Sequence, residues 1–155
     1  MARSFITYLA CFFVLVANAQ DITENDLLGQ WKIVSITEPD MHLDFIANTS
    51  KITEKFIRDN PEYSRKEVEE LGNDRLDYLR GLHLIFAPDH ILFMTSSNEE
   101  PTHFKYTLVT KAGRQYLVYE DTGGMDEIYM KDSLLYKILI TGETRYIEVY
   151  KKERL

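Results

Sequence analysis

From Gly81 onward, apolar and polar residues alternate with a period of two. Leu82, Leu84 and Phe86 interleave with His83, Ile85 and Ala87, and Phe104, Tyr106 and Leu108 interleave with Lys105 and Thr107. Such alternation places the two sets on opposite faces of a strand. Turn-forming residues interrupt it at Pro88-Asp89, Ala112-Gly113, Thr122-Gly123-Gly124, Asp132-Ser133 and Thr141-Gly142-Glu143. The strands so delimited are 82–87, 90–95, 103–110, 115–120, 127–131, 134–141 and 144–151. An earlier strand, 31–38, is predicted from the β-branched run Lys32-Ile33-Val34-Ser35-Ile36-Thr37. It stops before Pro39, which has no N–H to give a ladder. Short turns make sequential strands antiparallel neighbours. Eight up-and-down strands lose their exposed edges most simply by closing into a barrel. The expected fold is therefore mainly β, an eight-stranded antiparallel barrel.

Residues 49–80 have another texture and are expected to form a helical insert after the first strand. Ile52 and Phe56 stand four apart, as on one helical face, and Asn60-Pro61 ends that helix. Ser64 and Glu67 have the spacing of a capping box. Val68, Leu71, Leu79 and Leu82 then fall near one stripe. Gly72 weakens a helix interior, so a kink or break is expected at Gly72-Asn73. The insert either packs on the outside of the sheet or covers the barrel mouth and offers a face to a partner.

The first residues do not belong to this pattern. Arg3 precedes an apolar run from Phe5 to Val16, and Ala17-Asn18-Ala19 follows with small side chains. This is the layout of a secretory signal peptide over 1–19, with cleavage expected between Ala19 and Gln20. The run is too short to span a membrane, which takes about 20 apolar residues. The protein is thus expected in the periplasm or outside the cell, as one domain over 20–155. The single cysteine of the 155 residues, Cys11, lies within the signal. The mature chain then has no disulfide to rely on and must be held by its core. With 45% hydrophobic residues a core can be built, and no later segment has the length of a transmembrane helix. The net charge of −7 disfavours nucleic acid as a partner.

The segment Leu27-Leu28-Gly29-Gln30-Trp31-Lys32-Ile33-Val34-Ser35 resembles the start of lipocalin-like domains of the calycin group. Their signature is Gly-x-Trp where the first barrel strand begins, here Gly29 and Trp31. The pattern is similar to that of small secreted bacterial proteins with a helical insert after the first strand and a meander of hairpins. The resemblance implies that glycine lets the backbone pass close to the barrel floor, that tryptophan plugs the closed end, and that a basic side chain packs over the ring. Lys151, Lys152 and Arg154 are the candidates for that cation. Orthodox lipocalins place a helix after the last strand, whereas here the helices come early.

An eight-stranded barrel is just wide enough to hold one small ligand or to be filled by its own side chains. The inward face is expected to carry Leu84, Phe86, Leu92, Met94, Phe104, Tyr106, Leu108, Tyr116, Val118, Met130, Tyr136 and Ile138. That lining suits a small apolar or amphipathic molecule with one or two polar groups. His42, His83, His90 and His103 lack metal-ligand spacing, although His83 and His90 would meet across the Pro88-Asp89 turn. Glu120-Asp121 and Asp126-Glu127 read as a solvated acidic hairpin rather than a calcium loop. There is no nucleophile elbow, no phosphate-binding glycine loop and no free cysteine in the mature chain. The expectation is a non-enzymatic extracytoplasmic binding protein for a small hydrophobic ligand, with no cofactor and no metal. The alternatives are a protein-interaction module built on a filled barrel and, third, an enzyme on the same scaffold. A buried polar cluster with perturbed pKa values would favour the last.

Overall fold

The computed structural model describes residues 21–97 and 99–154. The predicted signal segment, its cleavage point between Ala19 and Gln20, and Cys11 lie outside the described residues. The chain forms helix α1 (Glu24–Leu27), strands β1 (Gly29–Thr37), β2 (Met41–Asp44) and β3 (Thr49–Ile52), and helices α2 (Glu54–Asp59) and α3 (Arg65–Leu79). Strands β4 (His83–Ala87), β5 (Ile91–Thr95), β6 (Thr102–Lys111) and β7 (Arg114–Tyr119) follow. The last three are β8 (Met125–Lys131), β9 (Leu134–Thr141) and β10 (Thr144–Lys152). The hydrogen-bonded order is β10-β9-β8-β7-β6-β5-β4-β1-β2-β3, and β1 also pairs with β10. Strands β1 and β4 to β10 therefore close an eight-stranded antiparallel barrel. The connections are tight: Ala112-Gly113 and Asp132-Ser133 both turn the chain with positive φ at both positions, the geometry that matches strand twist.

Strand β1 is shared between three partners. Gly29 to Lys32 pair with β4, Ser35 to Thr37 pair with β2, and the other edge runs along β10. The register with β10 shifts between Ile33 and Ser35, a β-bulge at Val34. The extra residue carries the inward set from Trp31 and Ile33 to Ile36. The hairpin β2–β3 falls outside the sequence-based expectation, which placed a helix from residue 49. Thr49 to Ile52 are strand instead. Beyond the bulge β1 has an edge that β4 does not reach, and the ladder offered by that edge outweighs the weak local helical signal.

The helices behave as their caps dictate. Thr53 caps α2, and Asn60 closes it by donating its side-chain N–H to the Phe56 carbonyl. Ser64 and Glu67 form the expected capping box at the start of α3. The helix runs unbroken through Gly72, so no kink occurs there. Its buried positions are Val68, Gly72 and Leu76, four apart, while Leu71 is exposed. Gly72 is where α3 meets the hairpin: a Cβ there would lie 2.5 Å from Ser50 Oγ and 2.9 Å from Ser50 Cβ. Gly72→Ala is thus expected to destabilise by about 1–2 kcal/mol, because overpacking outweighs the gain in helix propensity. In a denaturant melt the loss should shrink when Ser50→Gly is already present. An equal loss in both backgrounds would refute the steric cause.

One end of the barrel is plugged by the N-terminal segment. Gln115 on β7 holds it through Ile22 N–H to Oε1 at 2.6 Å and Nε2–H to the Ile22 carbonyl at 2.8 Å. Leu27 is fully buried, and Trp31, 1% exposed, donates Nε1–H to its carbonyl at 2.7 Å. Of the three candidate cations, Lys152 is the one over the Trp31 ring, its Nζ 5.3 Å from the centroid and bonded to the Asp26 carbonyl at 2.8 Å. Gly29 enters β1 at a φ of +112°, a conformation that L side chains rarely adopt. The core is continuous from this plug through the lumen to Leu43 of β2 and Leu76 of α3.

Candidate functional site

The barrel interior is more polar and more filled than the alternation along the chain implied. Leu84, Phe86, Leu92, Met94, Phe104, Tyr106 and Leu108 face inward as expected. Met130 shares the inward face, opposite Leu135, but is more than a third exposed at the rim. Tyr116, Val118, Tyr136 and Ile138 face outward. In β7 the inward residues are Leu117 and Tyr119, and in β9 they are Leu135 and Lys137. Ile138 is buried on the outer face, opposite Ile147 of β10. Both strands are apolar on both faces, so alternation gives no parity there, and a one-residue offset exchanges the faces.

The offset brings in Lys137, the residue a polarity argument would send outward. It is 2% exposed, with Nζ 3.0 Å from Glu148 Oε2 and 3.1 Å from Asp126 Oδ2. Tyr119 donates to the same Asp126 oxygen at 2.6 Å, and Tyr150 to the same Glu148 oxygen at 2.8 Å. The expected solvated acidic hairpin is therefore corrected at Asp126, which is buried; Glu127 is held by Arg114 at 3.1 Å. The cluster ties four consecutive strands, β7 to β10, across the lumen. No buried side-chain polar atom among the described residues lacks a partner.

Burial would lower the pKa of the Lys137 ammonium, but Glu148 and then Asp126 outweigh it and hold the pKa above its usual value. Burial, reinforced by Asp126, raises the Tyr119 hydroxyl. Burial, reinforced by Glu148, raises Tyr150 well above its usual value of 10.0. The lysine is fixed as an ammonium and both tyrosines as neutral donors. None of the three changes its proton near neutral pH, as an acid–base catalyst does. The cluster has a second consequence. All three groups bind their protons more tightly folded than unfolded, so their contribution is complete below about pH 10 and is lost as pH rises beyond it. Alkaline unfolding is expected, and Tyr119→Phe should flatten the stability profile above pH 10. A profile as steep as that of the wild type would show that Tyr119 is not the group responsible.

The clefts lie around this packed interior. One of about 260 Å³ opens at the barrel mouth, between Leu79 of α3 and Leu139 and Tyr146, with Glu148 in its wall. Arg75 and Glu38, 3.1 Å apart, bridge its lip. A larger one of about 810 Å³ lies outside, over the β1–β10 seam. It is lined by Gln30, Lys32, Ile33 and Val34 of β1, by Lys151 to Arg154, and by Phe45 and Ile46 at the tip of the β2–β3 hairpin. Asp44 Oδ1 accepts the N–H groups of Ile46 and Ala47, which orders this tip. Ile46 is held out at 76% exposure. Lys32 and Lys151 stand directly opposite one another across the ladder. The two strands come from opposite ends of the domain, so only barrel closure reveals this site.

The histidines do not meet: His83 bonds the Gly81 carbonyl and sits opposite Thr95, while His90 Nδ1 lies 3.0 Å from Glu24 Oε1. Among the described residues no three His, Cys, Asp or Glu side chains converge on a metal position, and no helix is long and apolar enough to cross a membrane.

No family model matches the chain, and no curated protein matches it. Among solved structures it is similar to a DUF4847 family protein from Bacteroides vulgatus, with a TM-score of 0.51 and 14% sequence identity, covering 85% of this chain and 98% of that one. At that identity the likeness is one of fold: a closed, eight-stranded antiparallel barrel.

Proposed function

We propose that the chain is an exported, non-enzymatic binding protein on a lipocalin-like barrel, and that its small amphipathic ligand sits on the outer wall rather than in the lumen. The observation that carries this reading is the cleft over the β1–β10 seam, where exposed Lys32 and Lys151 face each other beside the projecting Ile46. Its volume of about 810 Å³ falls in the range of small-molecule sites. The lumen is occupied by Trp31, Phe86, Tyr106, Tyr150 and Lys137, all buried, so the ligand place expected from the sequence moves outward. The lipocalin-like character is supported by Gly29 and Trp31 where β1 begins, with Lys152 over the ring. The non-enzymatic reading is supported by the fixed protonation of the buried cluster. Export is supported by the pattern over 1–19.

Native mass spectrometry of the protein purified from its own host tests this. The expected result is a chain starting at Gln20 with a discrete small adduct, lost on organic extraction and absent from Ile46→Asp. An adduct retained by Ile46→Asp would place the ligand elsewhere. A clean mass with a co-purifying protein would favour the partner-binding alternative.

A further inference from the structure

We infer that the occupant of the seam cleft is a free anionic amphiphile, with a carboxylate or phosphate head held between Lys32 and Lys151 and a single apolar chain against Phe45 and Ile46. The inference rests on that cleft being the ligand site. Like charges directly opposite each other in an antiparallel pair are destabilising, and Lys32 and Lys151 occupy such a position. Neither side chain has an ion pair or hydrogen bond among the described residues, and nor does that of Arg154 beside them. The other directly opposed cations, Lys111 and Arg114, flank a tight turn, and Arg114 has Glu127 at 3.1 Å. The carboxylate in the cleft, Glu153, has its Oε2 3.9 Å from His83, and the Lys152 ammonium is turned to the Asp26 carbonyl. The cleft thus keeps a like-charge pair whose two ammoniums have no ion-pair partner among the described residues, on a protein whose net charge is −7. An anion bridging the two ammoniums removes the repulsion and gains two charge-assisted hydrogen bonds.

The rest of the cleft narrows the class. The bulge at Val34 and the ordered tip at Phe45-Ile46 place an apolar lip next to the charges. A simple phosphate or a polyanion gains nothing from that lip, and a polyanion is repelled by the rest of the surface. A neutral lipid gains nothing from the cations. An amphiphile with one anionic head uses both. A bilayer is a poorer fit than a free molecule, because three unpaired cations offer little attraction against the net negative charge.

Titration calorimetry with monomeric dodecanoate, dodecyl maltoside and dodecyltrimethylammonium, each below its micelle concentration, tests the inference. Dodecanoate is expected to bind at least about tenfold more tightly than the other two, and the double substitution Lys32→Gln with Lys151→Gln to weaken it about tenfold, an energy of about 1.4 kcal/mol. Lys55→Gln on α2 serves as a control that leaves binding unchanged. Each single seam substitution should also raise the Tm of the unliganded protein by relieving repulsion; a fall in Tm would overturn the strain argument. Equal binding of dodecyl maltoside and dodecanoate, both weakened by Ile46→Ser, would overturn the anionic head and keep the cleft. Amphiphile binding insensitive to both Ile46→Ser and the double lysine substitution would overturn the cleft reading itself. Co-sedimentation with phosphatidylglycerol vesicles, without binding of dodecanoate, would overturn the free ligand in favour of a bilayer.

Discussion

Lys137→Met should destabilise the protein strongly at neutral pH, by about 3–5 kcal/mol, and less in mild acid. The lysine is 2% exposed and sits between Asp126 and Glu148. Methionine fills a similar volume, so packing alone predicts a small change. Electrostatics predicts a large one. Removing one partner of a buried ionic group leaves uncompensated charge and costs about 3–5 kcal/mol. That is a large share of a total stability of about 5–15 kcal/mol for an ordinary domain. The sign with pH follows. In the variant the two buried carboxylates face each other without a cation, and protonating either one removes the repulsion. The folded state then takes up protons more readily, and stability is regained as pH falls. Asp126→Asn with Glu148→Gln in the same chain should restore much of the loss at neutral pH, because no buried charge remains. Urea melts at pH 5 and pH 7 decide it. A midpoint equal to that of the wild type at both would mean that water reaches the cluster.

Trp31→Ala should cost about 3–5 kcal/mol at every pH. Three effects combine. The indole is 1% exposed, so its removal leaves a cavity at the closed end. The Leu27 carbonyl loses the Nε1–H donor that satisfies it at 2.7 Å. Lys152 loses the ring it stacks on at 5.3 Å. Trp31→Phe separates the terms: it keeps most of the apolar volume and removes the hydrogen bond, and it should cost markedly less than alanine. A loss in Trp31→Phe equal to that in Trp31→Ala would assign the effect to the Leu27 bond. No loss in either would mean that the plug adds nothing to stability.

The two residues differ in how openly the chain announces them. Trp31 is legible in advance through the Gly-x-Trp resemblance, carried by Gly29 two residues before it and a β-branched strand after it, and the structure adds Leu27, four residues away, as its hydrogen-bond partner. Lys137 is not legible, since its two partners lie on two other strands. Taken alone, Leu134 to Thr141 reads as a strand with its single charge to solvent. Glu148 is set directly opposite Lys137 by the β9–β10 register, and Asp126 is brought in by the offset of β8. The same holds for Leu117 and Tyr119, which displaced Tyr116 and Val118 from the lumen. Where both faces of a strand are apolar, only the neighbouring strands decide which one is inside.

Local chemistry sufficed for the eight barrel strands, their turns and the capped start of α3 at Ser64, because hydrophobic period, cap residues and turn residues act within a few positions of the chain, while the plug at Trp31 was implied by the Gly-x-Trp resemblance. Three features needed the closed structure. The hairpin β2–β3 exists because β1 outruns β4 and leaves an edge to be paired. The polar core exists because β7 to β10 bring one lysine, two carboxylates and two tyrosines into the lumen, where each charge is tolerated only by the others. The seam cleft exists because closure sets Lys32 of the first strand against Lys151 of the last. Pairing between distant strands is fixed by the closed barrel as a whole, and neither lysine's own neighbours in the chain carry that information.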